Sequence, residues 1–284
     1  MHYLTNMPTG EEQRALLCAR GYGDAFAAWY CNPTPPRVSG VVDVLRGLGM
    51  RDANDLTEGT LFAINGASNA LGTRGTSSLN PTAVLYRLSV GKQVAVAYAR
   101  GTDGLEVAAF DAGRDTLNFY LVQYELACAA SSTCTRADRF LPSNERDWAR
   151  VNVYSDWDLK NTVLDCLRCH EPDGHDWRTD KGTRRTLRMQ EASNPWTHWF
   201  MGSRGSSVLL DAFRTAHRRP DGMMEEYAGI PSKRLQHRDL EDHDGNPLFM
   251  QDLLIAHLGY ADAPGTVLYK GNDINADDPN FTGP

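Results

Sequence analysis

Two cysteines and a histidine form the run whose residue types and spacing carry the most chemistry in this sequence. Cys166 and Cys169 are separated by two residues, and His170 follows directly. On a helical turn, cysteines three positions apart share a face, so both sulfurs can bond to the two vinyl groups of one haem. The adjacent imidazole then offers a nitrogen to the iron. The run therefore predicts one covalently bound haem c, with His170 as the proximal iron ligand.

A Cys-x-x-Cys pair also occurs in zinc sites and in dithiol redox centres. A zinc site requires a second pair of ligands at similar spacing. The chain contains six cysteines, and no second Cys-x-x-Cys is present among them. Haem attachment is therefore favoured over a zinc or redox pair.

The residues before the motif predict a capped amphipathic helix that ends at the motif. Ser155 followed three positions later by Asp158 has the pattern of a capping box. Leu159, Val163 and Leu167 then recur at helical spacing. In this context the chain resembles the single-haem bacterial c-type cytochromes. The resemblance implies a mainly α, class I-like haem domain with the motif at the end of its first helix.

The ligand on the other side of the iron is a separate question. A methionine or a second histidine would favour electron transfer, whereas an open position would permit ligand binding or catalysis. Met189 is favoured as the distal ligand because apolar and aromatic residues lie before and after it. The alternatives are Met223, Met224, His198 and an open site.

Outside the motif, the pattern of apolar residues predicts an α+β organisation for residues 1–150. N-terminal helices come first, and an antiparallel meander of about four strands follows, with glycine-rich and aspartate-rich turns between the strands. The predicted strands are residues 83–90, 93–99, 105–111 and 117–124. The polar segment 136–150 resembles a linker. We then expect a mainly α cytochrome c-like haem domain over residues 151–270 and a polar, acidic tail over residues 271–284.

Charge and hydropathy restrict the partners of the chain. The formal net charge of -7 argues against a nucleic-acid partner, which would require a basic surface. No apolar run reaches the ~18 residues that a transmembrane segment needs. We therefore expect a redox partner protein and no transmembrane segment in this chain, while a lipid anchor stays open.

The four cysteines outside the motif bear on the cellular compartment. If they pair locally, Cys18–Cys31 and Cys128–Cys134 each close a short loop, although three connectivities and four free thiols are all compatible with the sequence. Disulfides persist outside the cytoplasm, where haem attachment of this type also takes place in the family. We therefore expect a periplasmic or extracellular protein, whose leader has been removed or lies outside this numbering.

One haem is sufficient to accept and pass single electrons. The sequence therefore predicts an exported single-haem c-type cytochrome, and an electron-transfer protein is favoured over a catalyst. Two alternatives remain: a haem-dependent oxidoreductase with an open or displaceable distal site, and a binding module fused to a cytochrome.

Overall fold

A six-stranded antiparallel sheet organises the chain, and its strands lie in sequence order from one edge to the other. The structure is a computed structural model that describes residues 6–50, 60–65, 79–80, 82–87, 93–167 and 208–232. The strands are β1 (Thr60–Asn65), β2 (Thr82–Arg87), β3 (Val94–Ala99), β4 (Gly104–Asp111), β5 (Thr116–Glu125) and β6 (Ala149–Ser155). Each strand pairs with the next, so β6 forms one edge of the sheet.

Within the described residues, five α-helices accompany the sheet. They are α1 (Gly10–Ala19), α2 (Ala25–Tyr30), α3 (Val41–Gly47), α4 (Asp156–Leu159) and α5 (Val208–Ala216), and short 3-10 helices lie at Ala127–Ala130, Asp138–Phe140 and Pro142–Glu145. Buried residues of α1, α2 and α3 pack against one face of the sheet, which we call the inner face. Because successive strand residues point to opposite faces, Tyr120, Val122 and Val153 belong to the inner face, whereas Leu121 and Tyr154 belong to the outer face.

The side chain of Asp24 connects the N-terminus of α2 to strand β5 of the sheet. Its Oδ1 accepts hydrogen bonds from the backbone N–H groups of Phe26 and Ala27 at 2.9 Å, which caps the N-terminus of α2. Its Oδ2 accepts hydrogen bonds from Asn118 and Tyr120 of β5. Burial raises the pKa of Asp24, and these four hydrogen bonds oppose that shift. The single carboxyl thus fixes the position of α2 over the inner face.

The predicted fold class is wrong for the part of the chain after residue 150. The helices before residue 50 and the antiparallel meander are present, but the described residues after 150 do not form a mainly α cytochrome c-like domain. Strand β6 crosses position 150 and pairs with β5. Phe213 of α5, together with Tyr227 and Ile230, packs into the same core as α1–α3. The described parts of residues 151–232 therefore extend the sheet and its inner core.

The segment 136–150 is not a linker. Trp148 is buried and stacks on Tyr124 with ring centroids 3.6 Å apart, and its indole N–H donates to the carbonyl of Asn144 at 2.8 Å. The side chains of Asn144 and Glu145 are buried as well. A polar composition suggested solvent exposure, but the side chain of Asn144 bonds to the backbone of Cys128 and Asp138. The carboxylate of Glu145 accepts from Arg100 and from the backbone N–H of Ala228. Polar groups can be buried when they are hydrogen-bonded in this way.

Two disulfides close the local loops that nearest-neighbour pairing predicts. Cys18 bonds to Cys31 and Cys128 bonds to Cys134. The first disulfide joins α1 to the residue that follows α2, and the second closes the loop after β5. These bonds indicate an oxidising compartment.

A buried cluster of charges holds residues 217–228 against the end of the sheet. Arg100 is 1 % exposed. Its guanidinium donates to the carboxylates of Glu145 at 2.7 Å and Glu225 at 2.5 Å, and it lies over the ring of Tyr227. Burial by itself would lower the pKa of Arg100, but the two carboxylates raise it above its ordinary value. His217 Nδ1 lies 2.6 Å from the Glu225 carboxylate.

The Glu225 carboxylate should make this cluster sensitive to acid. Burial alone would raise the pKa of Glu225, but hydrogen bonds from His217 and Arg100 bring this pKa below its ordinary value of 4.5. A depressed folded-state pKa contributes stability that is present above the unfolded pKa and is lost as the pH falls through the folded pKa. We expect Glu225→Gln to lower the free energy of unfolding by about 1.5–3 kcal/mol at neutral pH, the range for hydrogen bonds to charged groups.

Urea unfolding at several pH values would test this prediction. The difference between wild type and Glu225→Gln should shrink as the pH falls below about 4.5, because protonation removes the same charge. Glu12→Gln on the exposed side of α1 is the matched control, and we expect it to change the free energy of unfolding by less than about 0.5 kcal/mol. A Glu225→Gln difference that grows on acidification would contradict the assigned direction of the shift.

Candidate functional site

The described chain reaches the first cysteine of the motif and places it on the outer face of the sheet. Cys166 is partly buried and packs with Leu164 and Met7 against a small cluster formed by Leu121, Tyr154 and Leu159. We call these six residues the outer cluster. Leu121 and Tyr154 are cross-strand partners in β5 and β6, so the two edge-proximal strands form its floor. Cys169, His170, Met189 and His198 lie outside the described residues.

The predicted helix before the motif is much shorter than expected. The capping box is present, because the Asp158 carboxylate accepts from both the backbone N–H and the hydroxyl of Ser155. However, α4 ends at Leu159, and Asn161 has a φ of 63°. Val163 was expected on the buried face of a longer helix, but it is 69 % exposed. The motif is therefore approached through turns, and the spacing of Leu159, Val163 and Leu167 does not reflect one helical face.

The turn before Cys166 is built by local side-chain hydrogen bonds. The carboxylate of Asp165 accepts from the backbone N–H of Asn161 at 2.8 Å and of Leu167 at 3.0 Å. The hydroxyl of Thr162 donates to the carbonyl of Leu159 at 2.6 Å. Short polar side chains that bond to nearby backbone compete with a helix. These contacts explain why the apolar periodicity of this segment does not produce one.

The surroundings of Cys166 keep its thiol protonated. Burial raises the pKa of the Cys166 thiol, and the negative charges of Glu106, Asp156 and Asp165 raise it further. Dithiol redox centres operate through a thiol whose pKa is lowered. The structure therefore gives Cys166 the opposite environment from that of a reactive redox cysteine.

The two disulfides do not involve Cys166 of the motif. Cys18, Cys31, Cys128 and Cys134 are joined in two disulfides, and Cys166 is a free thiol. Since the chain has six cysteines, Cys169 is the one cysteine that remains to act with Cys166. Cys166 is thus excluded from the structural disulfides, as haem attachment requires.

Two of the alternative distal ligands lie in the described part of the chain. Met224 is 3 % exposed and belongs to the core of the inner face, whereas Met223 is 41 % exposed. Cys166 lies on the outer face. The sheet therefore separates Met224 from the first cysteine of the motif.

An open cleft adjoins the outer cluster along strands β5 and β6. It has a volume of about 510 Å³, and its walls include Met7 and Tyr154, which are also members of the outer cluster. Arg139 and Arg150 line the same cleft, each within 4.0 Å of a carboxylate, that of Asp103 or Glu125. Sites for small ligands and cofactors have volumes of about 300–1,000 Å³. The cleft is thus large enough for part of an organic cofactor.

Sequence reasoning missed two residues near the outer cluster. Met7 precedes the first helix, and only residues after the motif were expected to approach the haem. Glu106 is an acidic residue within the apolar run of strand β4 that ends before Asp111, a pattern that could have marked it as unusual. It pairs across the strands with Leu121 of the outer cluster.

Comparison of the chain with protein-family models gives no match. Comparisons with curated proteins and with solved structures also give none. Within the described ranges, no helix has the length and apolar character needed to cross a membrane. A functional assignment must therefore come from the chemistry of the chain's own residues.

Proposed function

We propose that Cys166 and Cys169 bind one haem c covalently, that His170 is its proximal iron ligand, and that the protein is an exported electron-transfer protein. The observation that carries the proposal is the Cys-x-x-Cys-His run, together with the free thiol at Cys166 in a chain whose four non-motif cysteines are disulfide-bonded. The raised pKa of the Cys166 thiol disfavours the alternative of a redox-active dithiol.

The apolar neighbours of Cys166 support the proposed attachment of a porphyrin. Cys166 and Cys169 would each hold the group through a thioether, formed when an S–H adds across one vinyl C=C bond with the sulfur on one carbon and the hydrogen on the other, so no oxidant would be consumed. The product is a neutral thioether, which an apolar environment accepts as readily as a protonated thiol. Leu164 and the outer-face side chains of β5 and β6 supply that environment.

The acidic residues near Cys166 would influence the bound group. Iron in a haem accepts or donates one electron as it changes between the ferrous and ferric states. Glu106, Asp156 and Asp165 act on Cys166 as negative charges. Negative charge close to a site stabilises the more positive state of that site, so these carboxylates should favour the ferric form.

The proposal places the protein in the periplasm or outside the cell. The two disulfides support an oxidising compartment, and covalent haem attachment of this kind belongs to the same compartments in the resembled family. The partner we propose is a redox protein that exchanges single electrons with the haem.

Covalent haem retention tests the proposed function directly. The exported, matured protein should keep its haem after denaturation and extraction with acidified acetone. Cys166→Ser/Cys169→Ser should lose essentially all denaturation-resistant haem, because both thioether bonds are removed. Each single variant should retain less than the wild type.

Cys128→Ser/Cys134→Ser is the matched control for this measurement. It also removes two cysteines, but they belong to a disulfide in another loop, so retention of the haem should be unchanged. A colourless matured wild type, or a haem that acidified acetone extracts, would show that the proposed function is wrong.

A further inference from the structure

We propose that the open cleft beside strands β5 and β6 is a binding site for a neutral, hydroxyl-rich ligand, that is, a short carbohydrate. The cleft has a volume of about 510 Å³, which lies within the range of sites for small ligands. This inference goes beyond the proposed haem chemistry and does not depend on it, because the residues that carry it lie in the described part of the chain and outside the Cys-x-x-Cys-His run.

The first observation is a pair of carboxamides on the wall of the cleft. Gln123 of β5 and Asn152 of β6 are cross-strand partners, and both line the cleft. Asn152 is held in place, because its Oδ1 accepts from the backbone N–H of Gly10 at 2.7 Å and its Nδ2 donates to the carbonyl of Arg150 at 3.1 Å. An amide has two N–H donors and two acceptor lone pairs, so these two bonds leave half of that capacity. Side chains of cross-strand partners lie close together on one face of the sheet, so the two amides can bond to neighbouring hydroxyl groups of one ligand.

The second observation is that the charges of the cleft cancel. Its charged lining residues are two arginines and two acids, which pair as Arg150 with Glu125 at 2.5 Å and Arg139 with Asp103 at 4.0 Å. An anionic or cationic ligand would have to compete with one of these pairs. A neutral ligand leaves both pairs intact and can use their remaining N–H donors and oxygen lone pairs. A hydroxyl group donates and accepts at once, which suits a wall of mixed donors and acceptors.

The third observation is an irregular backbone at the wall of the cleft. The register of β5 with β6 shifts between Gln123 and Glu125, and Arg150 on the neighbouring strand has a φ of 48°. Few residues other than glycine adopt this conformation. Bulges next to functional sites re-aim side chains, and conformations of this kind concentrate at ligand sites. Here the irregular segment places the Arg150 guanidinium against the Glu125 carboxylate on the cleft wall.

The apolar and aromatic groups of the cleft favour a sugar over a flat aromatic ligand. Met7 is partly buried and Ala129 is exposed, and both line the cleft, where they can contact the C–H groups that lie between the hydroxyls of a sugar. Tyr124 and Tyr154 also line it, but they are only 2 % and 1 % exposed. A nucleobase or similar ligand gains its affinity by stacking on an accessible ring face, which these two buried tyrosines do not offer.

Isothermal titration calorimetry of the full chain as purified would test the proposal. The probes are the neutral disaccharides maltose, cellobiose, lactose and chitobiose, and the charged comparison compounds are glutamate and inorganic phosphate. We expect at least one disaccharide to bind, and we expect neither charged compound to bind at the same concentration, because the two ion pairs of the cleft already satisfy its charges.

Two variants would place the binding in the cleft. Gln123→Leu should weaken binding of the disaccharide about tenfold, since hydrogen bonds to the ligand are lost. Arg150→Gly should weaken it as well, and this variant should fold because glycine adopts a positive φ without strain. Gln93→Leu is the matched control: Gln93 is also partly buried and directly precedes β3, but it does not line the cleft, so the affinity should be unchanged.

The inference is overturned if none of the disaccharides binds, or if glutamate or phosphate binds in their place. It is also overturned if Gln93→Leu weakens binding as much as Gln123→Leu does, or if Arg150→Gly binds as the wild type does. If Gln123→Leu does not fold, Arg150→Gly decides. Failure of the proposed function is a separate result, because a protein without covalent haem should still bind the sugar.

Discussion

Arg100→Ala should lower the free energy of unfolding by about 3–5 kcal/mol, the usual cost of removing one partner of a buried ion pair. The guanidinium is buried and donates hydrogen bonds to the carboxylates of Glu145 and Glu225 and to the carbonyl of Glu226. Without it, the buried carboxylate of Glu145 loses the cation with which it pairs. Chemical denaturation followed by circular dichroism would measure the change.

Arg219→Ala is the matched control for this prediction. Arg219 also pairs with a carboxylate, that of Asp221 at 2.8 Å, but about half of each side chain is exposed to solvent. Exposed pairs contribute roughly 0–1 kcal/mol, so this variant should be nearly as stable as the wild type. If both arginine variants unfold at the same denaturant concentration, burial of Arg100 does not have the assigned energetic role.

A double variant would show whether the loss comes from the stranded carboxylate. Arg100→Met/Glu145→Gln removes the cation and the buried negative charge together. It should be less destabilised than the sum of its two single variants, because residues in direct contact are energetically coupled. Additive effects would indicate that the two side chains stabilise the fold independently.

Trp148→Ala should also cost about 3–5 kcal/mol, the range for truncation of a buried aromatic side chain. Trp148 is 6 % exposed, stacks on Tyr124 and donates its indole N–H to the Asn144 carbonyl. Truncation therefore leaves a cavity and removes a hydrogen bond. Thermal or chemical unfolding would give the difference in stability.

Two substitutions separate the contributions at this position. Trp148→Phe keeps an aromatic ring on Tyr124 but removes the N–H donor, so we expect an intermediate loss. Trp157→Ala is the control: this indole is 55 % exposed, and Lys160 lies over its ring, so the cost should stay below about 1 kcal/mol. A similar loss at Trp157 and Trp148 would be inconsistent with the packing described.

The fold contains parts that local pattern reveals and parts that it does not. Strands β2–β5 were predicted because apolar stretches of strand length alternate with turn residues, and each pairs with its neighbour in sequence. Strand β6 was missed because the chain passes through three short helices before returning to pair with β5. The alternation of Val151 and Val153 with polar residues was a signal for it.

The apparent helix before the motif shows the limit of periodicity. Leu159 and Val163 have helical spacing, yet Leu159 is fully buried and Val163 is largely exposed. Asp165 and Thr162 bond to nearby backbone groups and end the helix early. Hydrogen bonds of this kind depend on the local conformation, which the order of apolar residues does not specify.

The sequence by itself determined the chemistry expected of this protein, because the Cys-x-x-Cys-His run is defined by residue type and spacing alone. Local pairing of the other four cysteines was one of three connectivities that the sequence left open, and it is the pairing that the structure adopts. Only the tertiary structure decided which side chains surround Cys166. Met7 and Leu159 are separated by about 150 residues, and their contact with Leu121 and Tyr154 depends on the pairing of β5 with β6. These contacts bring together residues that are far apart in the sequence, so they depend on how β5 pairs with β6 and not on the pattern within any one segment.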